Sequence, residues 1–156
     1  MSDPFLVVGG GPAGLSAAHA LAAAGESVVL VEKTGILGGA PIHSGYSKLV
    51  PTGEWAKDAI GSMVSRVVGN DRIEVITDEV VQSFDGSPCN FTATLRGGRQ
   101  IRTKAAILCT GFTHFDSVNK PEWGFGRFPD VVTTTQVEQM ISGGHGVRRP
   151  SNGEPP

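Results

Sequence analysis

The segment Val7-Val8-Gly9-Gly10-Gly11-Pro12-Ala13-Gly14-Leu15 constrains this chain more than any other, because it sets a glycine-rich turn between an apolar strand and an alanine-rich helix. Phe5 to Val8 read as a short buried strand, and Leu15 to Ala24 read as the helix that follows. Gly9, Gly11 and Gly14 hold the three demanding positions of a dinucleotide fingerprint. The first allows the tight turn, the second lets the backbone approach the phosphates, and the third lets the helix pack close to the strand. Pro12 and Ala13, between the second and third of these glycines, are also expected to meet the cofactor, and exposed N–H groups at a helix start bind an anion such as a pyrophosphate.

A bare glycine fingerprint is a weak signal, and its context carries the argument. Ser27-Val28-Val29-Leu30-Val31 reads as a second strand ending in Glu32. The acid falls roughly 20 residues beyond the fingerprint, where a ribose-binding carboxylate belongs. Glu32 is expected to accept both ribose hydroxyls of an adenosine. An acid there disfavours a 2′-phosphate, which points to FAD or NAD and away from NADP. Further along, Trp55 to Val68 has the apolar spacing of an amphipathic helix, and Arg72 to Ile76 reads as a third parallel strand. Val80 to Phe84, Asn90 to Leu95 and Gln100 to Lys104 read as three short strands joined by turn chemistry at 85–88 and 96–99.

Two further segments separate the alternatives. Glu32-Lys33 followed by Gly35-Ile36-Leu37-Gly38-Gly39 resembles the Glu-Lys-x-x-x-x-Gly-Gly stretch of flavoproteins with two dinucleotide-binding domains, where it runs beneath the FAD pyrophosphate and ribityl chain. Ala105 to Phe112 resembles a second signature of those proteins, a buried strand ending in Ala-Thr-Gly that returns the chain to the flavin at Thr110 and Gly111. Cys109 stands where alanine is usual and reads as a packing residue. The resemblance implies an α/β fold of the glutathione-reductase-like FAD-binding Rossmann type, with a parallel sheet and an inserted three-stranded meander. It also implies that a backbone group near Val80, at the start of the meander, meets the adenine ring. The segment after Gly39 would then pass the reactive face of the flavin, with His43, Ser44 and Tyr46 as candidates there. An imidazole or hydroxyl so placed tunes the flavin or passes a proton. The other reading makes them loop residues that satisfy local hydrogen bonds. His114 and His145 lie in irregular sequence and receive no role.

The chain of 156 residues suffices for one domain but is short for such a fold. Residues 1–118 are expected to form the N-terminal part of an FAD-binding domain. Residues 119–156, irregular and ending in Arg148-Arg149-Pro150-Ser151-Asn152-Gly153-Glu154-Pro155-Pro156, read as extension and linker into a second half that lies elsewhere. The formal net charge of −2 gives no electrostatic case for nucleic acid. Apolar stretches are strand-length or alanine-rich helix, well short of the roughly 20 residues of a membrane span. The first strand begins almost at once, leaving no room for a secretory signal, so a cytoplasmic location is expected. The two cysteines, Cys89 and Cys109, form no Cys-x-x-Cys pair and no metal-ligand cluster.

The stretch from Phe115 narrows the family. Phe115-Asp116, the run Lys120 to Thr134 containing Trp123-Gly124-Phe125-Gly126-Arg127-Phe128-Pro129, Glu138-Gln139-Met140-Ile141 and Arg149-Pro150-Ser151-Asn152-Gly153 resemble the A subunit of heterodisulfide reductases. Methanogen-type A subunits carry a cysteine cluster soon after the Gly-Gly motif, where this chain has Ala40 to Val50 without cysteine. That departure makes it more similar to the A subunit of the sulfur-oxidising heterodisulfide-reductase-like complex. The resemblance implies an FAD-binding electron-transfer subunit in sulfur metabolism, partnered by the other subunits of such a complex and by a second copy of itself. A [4Fe–4S] cluster would need cysteines from a further C-terminal half. Two other functions fit the same fold: a fragment of an NAD(P)H-dependent flavoprotein reductase, which requires a second glycine fingerprint, and a non-enzymatic nucleotide-binding assembly module.

Overall fold

The computed structural model describes residues 3–156. They form two compact units, each assembled from separate stretches of chain. The first runs to Gly39 and resumes at Ala59–Gly111; the second joins Ala40–Asp58 to Phe112–Pro156.

In the first unit, strands β1 (Phe5–Val8), β2 (Val28–Val31), β3 (Ile73–Ile76) and β7 (Ala106–Leu108) make a parallel sheet in the order β3-β2-β1-β7. Register is continuous, with Phe5 opposite Val28 and Val28 opposite Ile73. All four residues of β2 are buried, as expected of a central parallel strand whose two faces are both covered. Helix α1 (Pro12–Ala23) follows β1 and packs on the sheet through Leu15, Ala18 and Ala22, whose small or slender side chains allow close approach. The part of α3 (Ala56–Val68) that belongs to this unit buries Ile60 and Val67.

Strands β4 (Val81–Ser87), β5 (Asn90–Leu95) and β6 (Gln100–Thr103) form the expected antiparallel meander. Alternation places Ala93, Leu95 and Ile101 on one face, where they pack against Leu6, Val29 and Val31 of the parallel sheet. Residues of one strand face share a period of two, so this packing fixes which side of the meander is apolar.

One element differs from expectation. The strand leading to Thr110-Gly111 is short and its end is exposed: Leu108 is 74% accessible. β7 pairs with β1 alone and forms the sheet's edge, which removes the second neighbour that would bury it. Within 119–156, read as extension and linker, lies helix α4 (Thr134–Ser142), opened by a capping box in which Thr133 and Gln136 satisfy each other's backbone N–H.

The second unit also contains the short helix α2 (Ala40–His43), a bridge between Lys48 and Trp55, and two 3₁₀ turns at Ser117–Asn119 and Pro121–Trp123. Among the described residues no helix is long and apolar enough to cross a membrane.

Candidate dinucleotide-binding site

The glycines of the turn are demanded by different neighbours. Gly9 has φ +109°, and a Cβ there would sit 2.2 Å from the Cys109 carbonyl oxygen. A Cβ on Gly14 would sit 1.8 Å from the Gly9 carbonyl oxygen and 3.4 Å from Cys109 Cβ, so Cys109 is a packing partner of the turn. Both glycines are therefore required by the chain's own packing. Gly11 is not. Its backbone is extended, at φ −76° and ψ −178°, and the nearest atom to a Cβ would be Gly39 Cα at 3.7 Å. Nothing in the protein forbids a side chain at Gly11, and the space it leaves lies at the N-cap of α1. No side chain caps that helix; Pro12 occupies its first turn, and Ala13 is exposed beside it. Proline at the first position gives up only an N–H that has no partner within the helix.

Glu32 sits where the sequence places it, at the end of β2, but it is 6% exposed and already engaged. Oε2 accepts the Gly10 N–H at 2.7 Å, while Oε1 accepts both the N–H and the hydroxyl of Thr34 at 2.9 Å. A carboxylate has about four acceptor sites. Glu32 thus clamps the glycine turn to the strand end. Gly10 and Thr34 were not among the residues expected from sequence. A Cβ on Gly10 would lie 2.4 Å from Leu37 Cδ2 and 3.2 Å from Glu32 Cβ, so a side chain there would have to displace the end of Leu37. Three consecutive glycines were the available signal, because the usual fingerprint needs only the outer two of them.

Gly38 and Gly39 both have positive φ, +117° and +61°. The Gly38 N–H donates to the Gly10 carbonyl at 2.8 Å, and a Cβ on Gly39 would lie 2.8 Å from Gly11 Cα. The Gly-Gly motif is therefore laid directly against the glycine turn. Lys33 is exposed. Val80 precedes β4; its N–H donates to Glu79 Oε2 at 3.3 Å and its carbonyl accepts from Arg96. Glu79 and Asp78 donate their N–H groups to the carbonyls of Glu32 and Thr34, which stitches the approach to Val80 onto the carboxylate corner. Thr110 and Gly111 are exposed, just past β7.

Gly9, Gly11, Pro12, Ala13, Gly14, Glu32, Lys33, Gly38, Gly39, Val80, Thr110 and Gly111 all lie in the first unit. His43 and Ser44 belong to the second. There the Ser44 N–H closes α2 on the Ala40 carbonyl, and Ser44 Oγ lies 3.1 Å from His114 Nε2. Helix α4 grips the same loop. Gln139 Nε2 donates to the Ser44 carbonyl at 3.2 Å, Ser142 Oγ donates to the Gly45 carbonyl at 3.2 Å, and Glu138 accepts both the hydroxyl and the N–H of buried Ser47. Those two donors, the hydroxyl first, hold the Glu138 carboxyl below its ordinary value. Among the described residues no group of three His, Cys, Asp or Glu side chains could hold a metal ion.

A parallel sheet carrying an inserted antiparallel meander, a glycine turn between its central strand and first helix, and an acid at the next strand end define an α/β fold of the FAD-binding Rossmann class. Thioredoxin reductase of Lactococcus lactis has this fold: it superposes with a TM-score of 0.62 over 74% of this chain and 37% of that one, at 20% identity. The chain belongs to the pyridine nucleotide-disulphide oxidoreductase family, which matches residues 3–140.

Within that breadth the resemblance to heterodisulfide reductase A subunits is the more extensive. The iron–sulfur A 1 subunit of CoB–CoM heterodisulfide reductase from Methanopyrus kandleri is 25% identical across 100% of this chain and 36% of its own length. A protein of Archaeoglobus profundus that resembles the heterodisulfide reductase A subunit is 33% identical over 130 residues, 83% of this chain and 18% of that protein. The Methanopyrus alignment occupies 242 positions, so that relative carries additional residues inside the matched span. The stretches matched in heterodisulfide reductase A subunits, among them those of Methanosarcina acetivorans and Methanopyrus kandleri, span between 7% and 36% of those proteins' lengths.

Proposed function

We propose that this chain is the FAD-binding part of an electron-transfer subunit in a heterodisulfide-reductase-like oxidoreductase complex, working in cytoplasmic sulfur metabolism beside the complex's other subunits and a second copy of itself. The observation that carries the nucleotide assignment is Gly11. It is a glycine that the protein's own packing does not require, placed at an uncapped helix N-terminus and against Gly39. A diphosphate approaching that backbone uses the space a Cβ would fill. Glu32 would hold the adenosine ribose, the backbone at Val80 would border the adenine, and Gly38, Gly39, Thr110 and Gly111 would allow the remainder of the cofactor close to the main chain. Lys33, exposed beside Glu32, adds a positive charge at that end. His43 and Ser44 follow Gly39 in the chain and are assigned to the flavin end.

FAD, when bound, supplies the electron chemistry; the side chains bind it, orient it and exclude water. A [4Fe–4S] cluster does not fit the residues present. Such a cluster is held by four cysteine thiolates, and Cys89 and Cys109 are the two cysteines here. No step is assigned to one.

The purified protein should show flavin absorbance and release FAD on heating, identified by mass spectrometry. Gly11→Val should fold yet come off the column colourless. Full flavin occupancy in that variant would refute the pyrophosphate placement, and a colourless wild-type chain that also fails to bind added FAD would favour an assembly module. Affinity capture from native cells under mild conditions should recover heterodisulfide-reductase-like subunits; recovery of none would overturn the proposed partners.

A further inference from the structure

We propose that the Thr34 hydroxyl stands in for a ribose hydroxyl on Glu32 and yields that place when nucleotide binds, turning its proton to the Ile36 carbonyl. The inference rests on the assignment of Glu32 to the adenosine ribose made above, and it makes Thr34 a positioning residue that acts through Glu32.

A ribose arriving at Glu32 meets a carboxylate that is already engaged. Glu32 is 6% exposed, and its oxygens accept the Gly10 N–H, the Thr34 N–H and the Thr34 hydroxyl. Of these three donors only the hydroxyl has another acceptor within reach: Thr34 Oγ1 lies 2.9 Å from Glu32 Oε1 and 3.0 Å from the Ile36 carbonyl oxygen. A hydroxyl carries a single proton, so the two acceptors compete for it. They are unequal. A hydrogen bond to a carboxylate is the stronger kind, and Ile36 is exposed, so that water can satisfy its carbonyl. Without nucleotide the proton belongs on Glu32. Once a ribose hydroxyl donates to Oε1, the carboxylate keeps its complement of donors while the Thr34 O–H rotor turns to Ile36, with no movement of Oγ1.

The backbone around this exchange is held from β3's side of the sheet. The Glu79 N–H donates to the Glu32 carbonyl at 3.1 Å, and the Asp78 N–H donates to the Thr34 carbonyl at 3.2 Å. Glu32 is tied to the nucleotide site by Gly10, whose N–H it holds and which precedes Gly11 at the uncapped start of α1. All of these residues lie in the first unit. The exchange also has a sign. If the hydroxyl must leave Glu32 on binding, removing it weakens the free protein and strengthens the complex relative to it. A hydroxyl that stayed on Glu32 throughout would leave affinity unchanged or lower when removed.

The test uses the full chain freed of cofactor and titrated calorimetrically with FAD, with ADP and with 2′,3′-dideoxy-ADP, which lacks both ribose hydroxyls. Thr34→Val should bind FAD and ADP about three- to tenfold more tightly than wild type, the range set by the net worth of one hydrogen bond, with no gain for the dideoxy analogue. Its melting temperature should fall in the free chain and return toward wild type at saturating ADP. Thr34→Ser, which keeps the hydroxyl, should match wild type in all three titrations. A readout in the wild-type chain needs no variant: the Ile36 carbonyl ¹³C shift, read through the Leu37 amide, should move further with ADP than with dideoxy-ADP. An equal shift with both ligands, or a Thr34→Val affinity for ADP at or below wild type, would overturn the exchange while leaving the cofactor reading intact. Equal wild-type affinity for ADP and its dideoxy analogue would overturn the ribose assignment and the exchange with it, and a wild-type chain that takes up neither FAD nor ADP would overturn the cofactor reading as well.

Discussion

Single glycines separate the protein's own needs from those of a ligand. Gly14 cannot carry a side chain, because its Cβ would meet the Gly9 carbonyl oxygen at 1.8 Å. That contact is with backbone at the strand-to-helix turn, where relief requires moving β1 or α1. Gly14→Ala is expected to cost about 3 kcal/mol or more, at or above the upper end of ordinary overpacking. Gly11→Ala meets nothing closer than 3.7 Å and keeps an allowed extended backbone. Its stability should change by less than about 1 kcal/mol, the small penalty coming from alanine's poorer performance at an N-cap. Urea denaturation of both variants beside FAD titration checks the contrast: Gly11→Ala should lose cofactor at near-native stability, whereas a large stability loss there would mean that the glycine serves the fold. At Glu32 the two needs coincide. Its oxygens hold Gly10 and Thr34, so Glu32→Gln must turn an amide N–H₂ toward one of those donors. A buried donor left facing a donor costs about 1–3 kcal/mol. Glu32→Gln should therefore lower the melting temperature even without nucleotide, which is checked by calorimetry of the FAD-free chain.

At the scale of elements, α4 and the loop it grips give a pH-dependent contact. The Ser47 hydroxyl and N–H stabilise the ionised form of Glu138 and hold its carboxyl below the ordinary value of 4.5. The contribution is therefore fully present above about pH 4.5 and is lost as the pH falls through the lower folded value. The protection factor of the Ser47 amide, taken relative to its intrinsic exchange rate at each pH, should fall on acidification through that window, and Glu138→Gln, which keeps an acceptor but no titration, should flatten the change. Thr133→Ala, by removing the cap of the same helix, should cost about 1 kcal/mol and fray its first turn. The strands and helices of the first unit were legible in the sequence because each is written locally: an apolar run of four residues, an alanine face, a turn of Asp, Gly and Pro. What anchors α4 was not, since Glu138 meets Ser47, 91 positions away, and the cap is the polar pair Thr133 and Gln136. The exposure of Leu108 was equally hidden, because a sequence gives a strand's apolar run but not how many neighbours it will have. The site divides the same way. Glu32 was singled out by its spacing and the Gly-Gly motif by its resemblance to flavoproteins, whereas Gly10, Thr34 and His114 acquire partners only when the chain folds.

For the whole molecule, the distribution of buried apolar residues sets the order of stability. Among the described residues, every fully buried hydrophobic side chain except Ala56 lies in the first unit, in β1, β2, α1, the meander and the remainder of α3. The second unit leaves Phe112, Phe115, Trp123 and Phe128 more than half exposed and is held by polar contacts: Glu138 on Ser47, Thr133 on Gln136, and Asp130 on Ser151. Exposed hydrogen bonds are worth about 0.5–1.5 kcal/mol each, whereas burying one Leu or Phe side chain is worth about 1.5–3 kcal/mol. Regions with few buried contacts open by local unfolding at free energies well below the global value. Native-state hydrogen exchange should therefore show amides of α4 and of the 44–47 loop exchanging together at low urea, through an opening that leaves β1, β2 and β5 protected until global unfolding. Equal protection in both units, converging on one free energy, would show a single cooperative fold and remove the basis for this ordering. Binding of FAD at the glycine turn should raise protection in β1 and the start of α1.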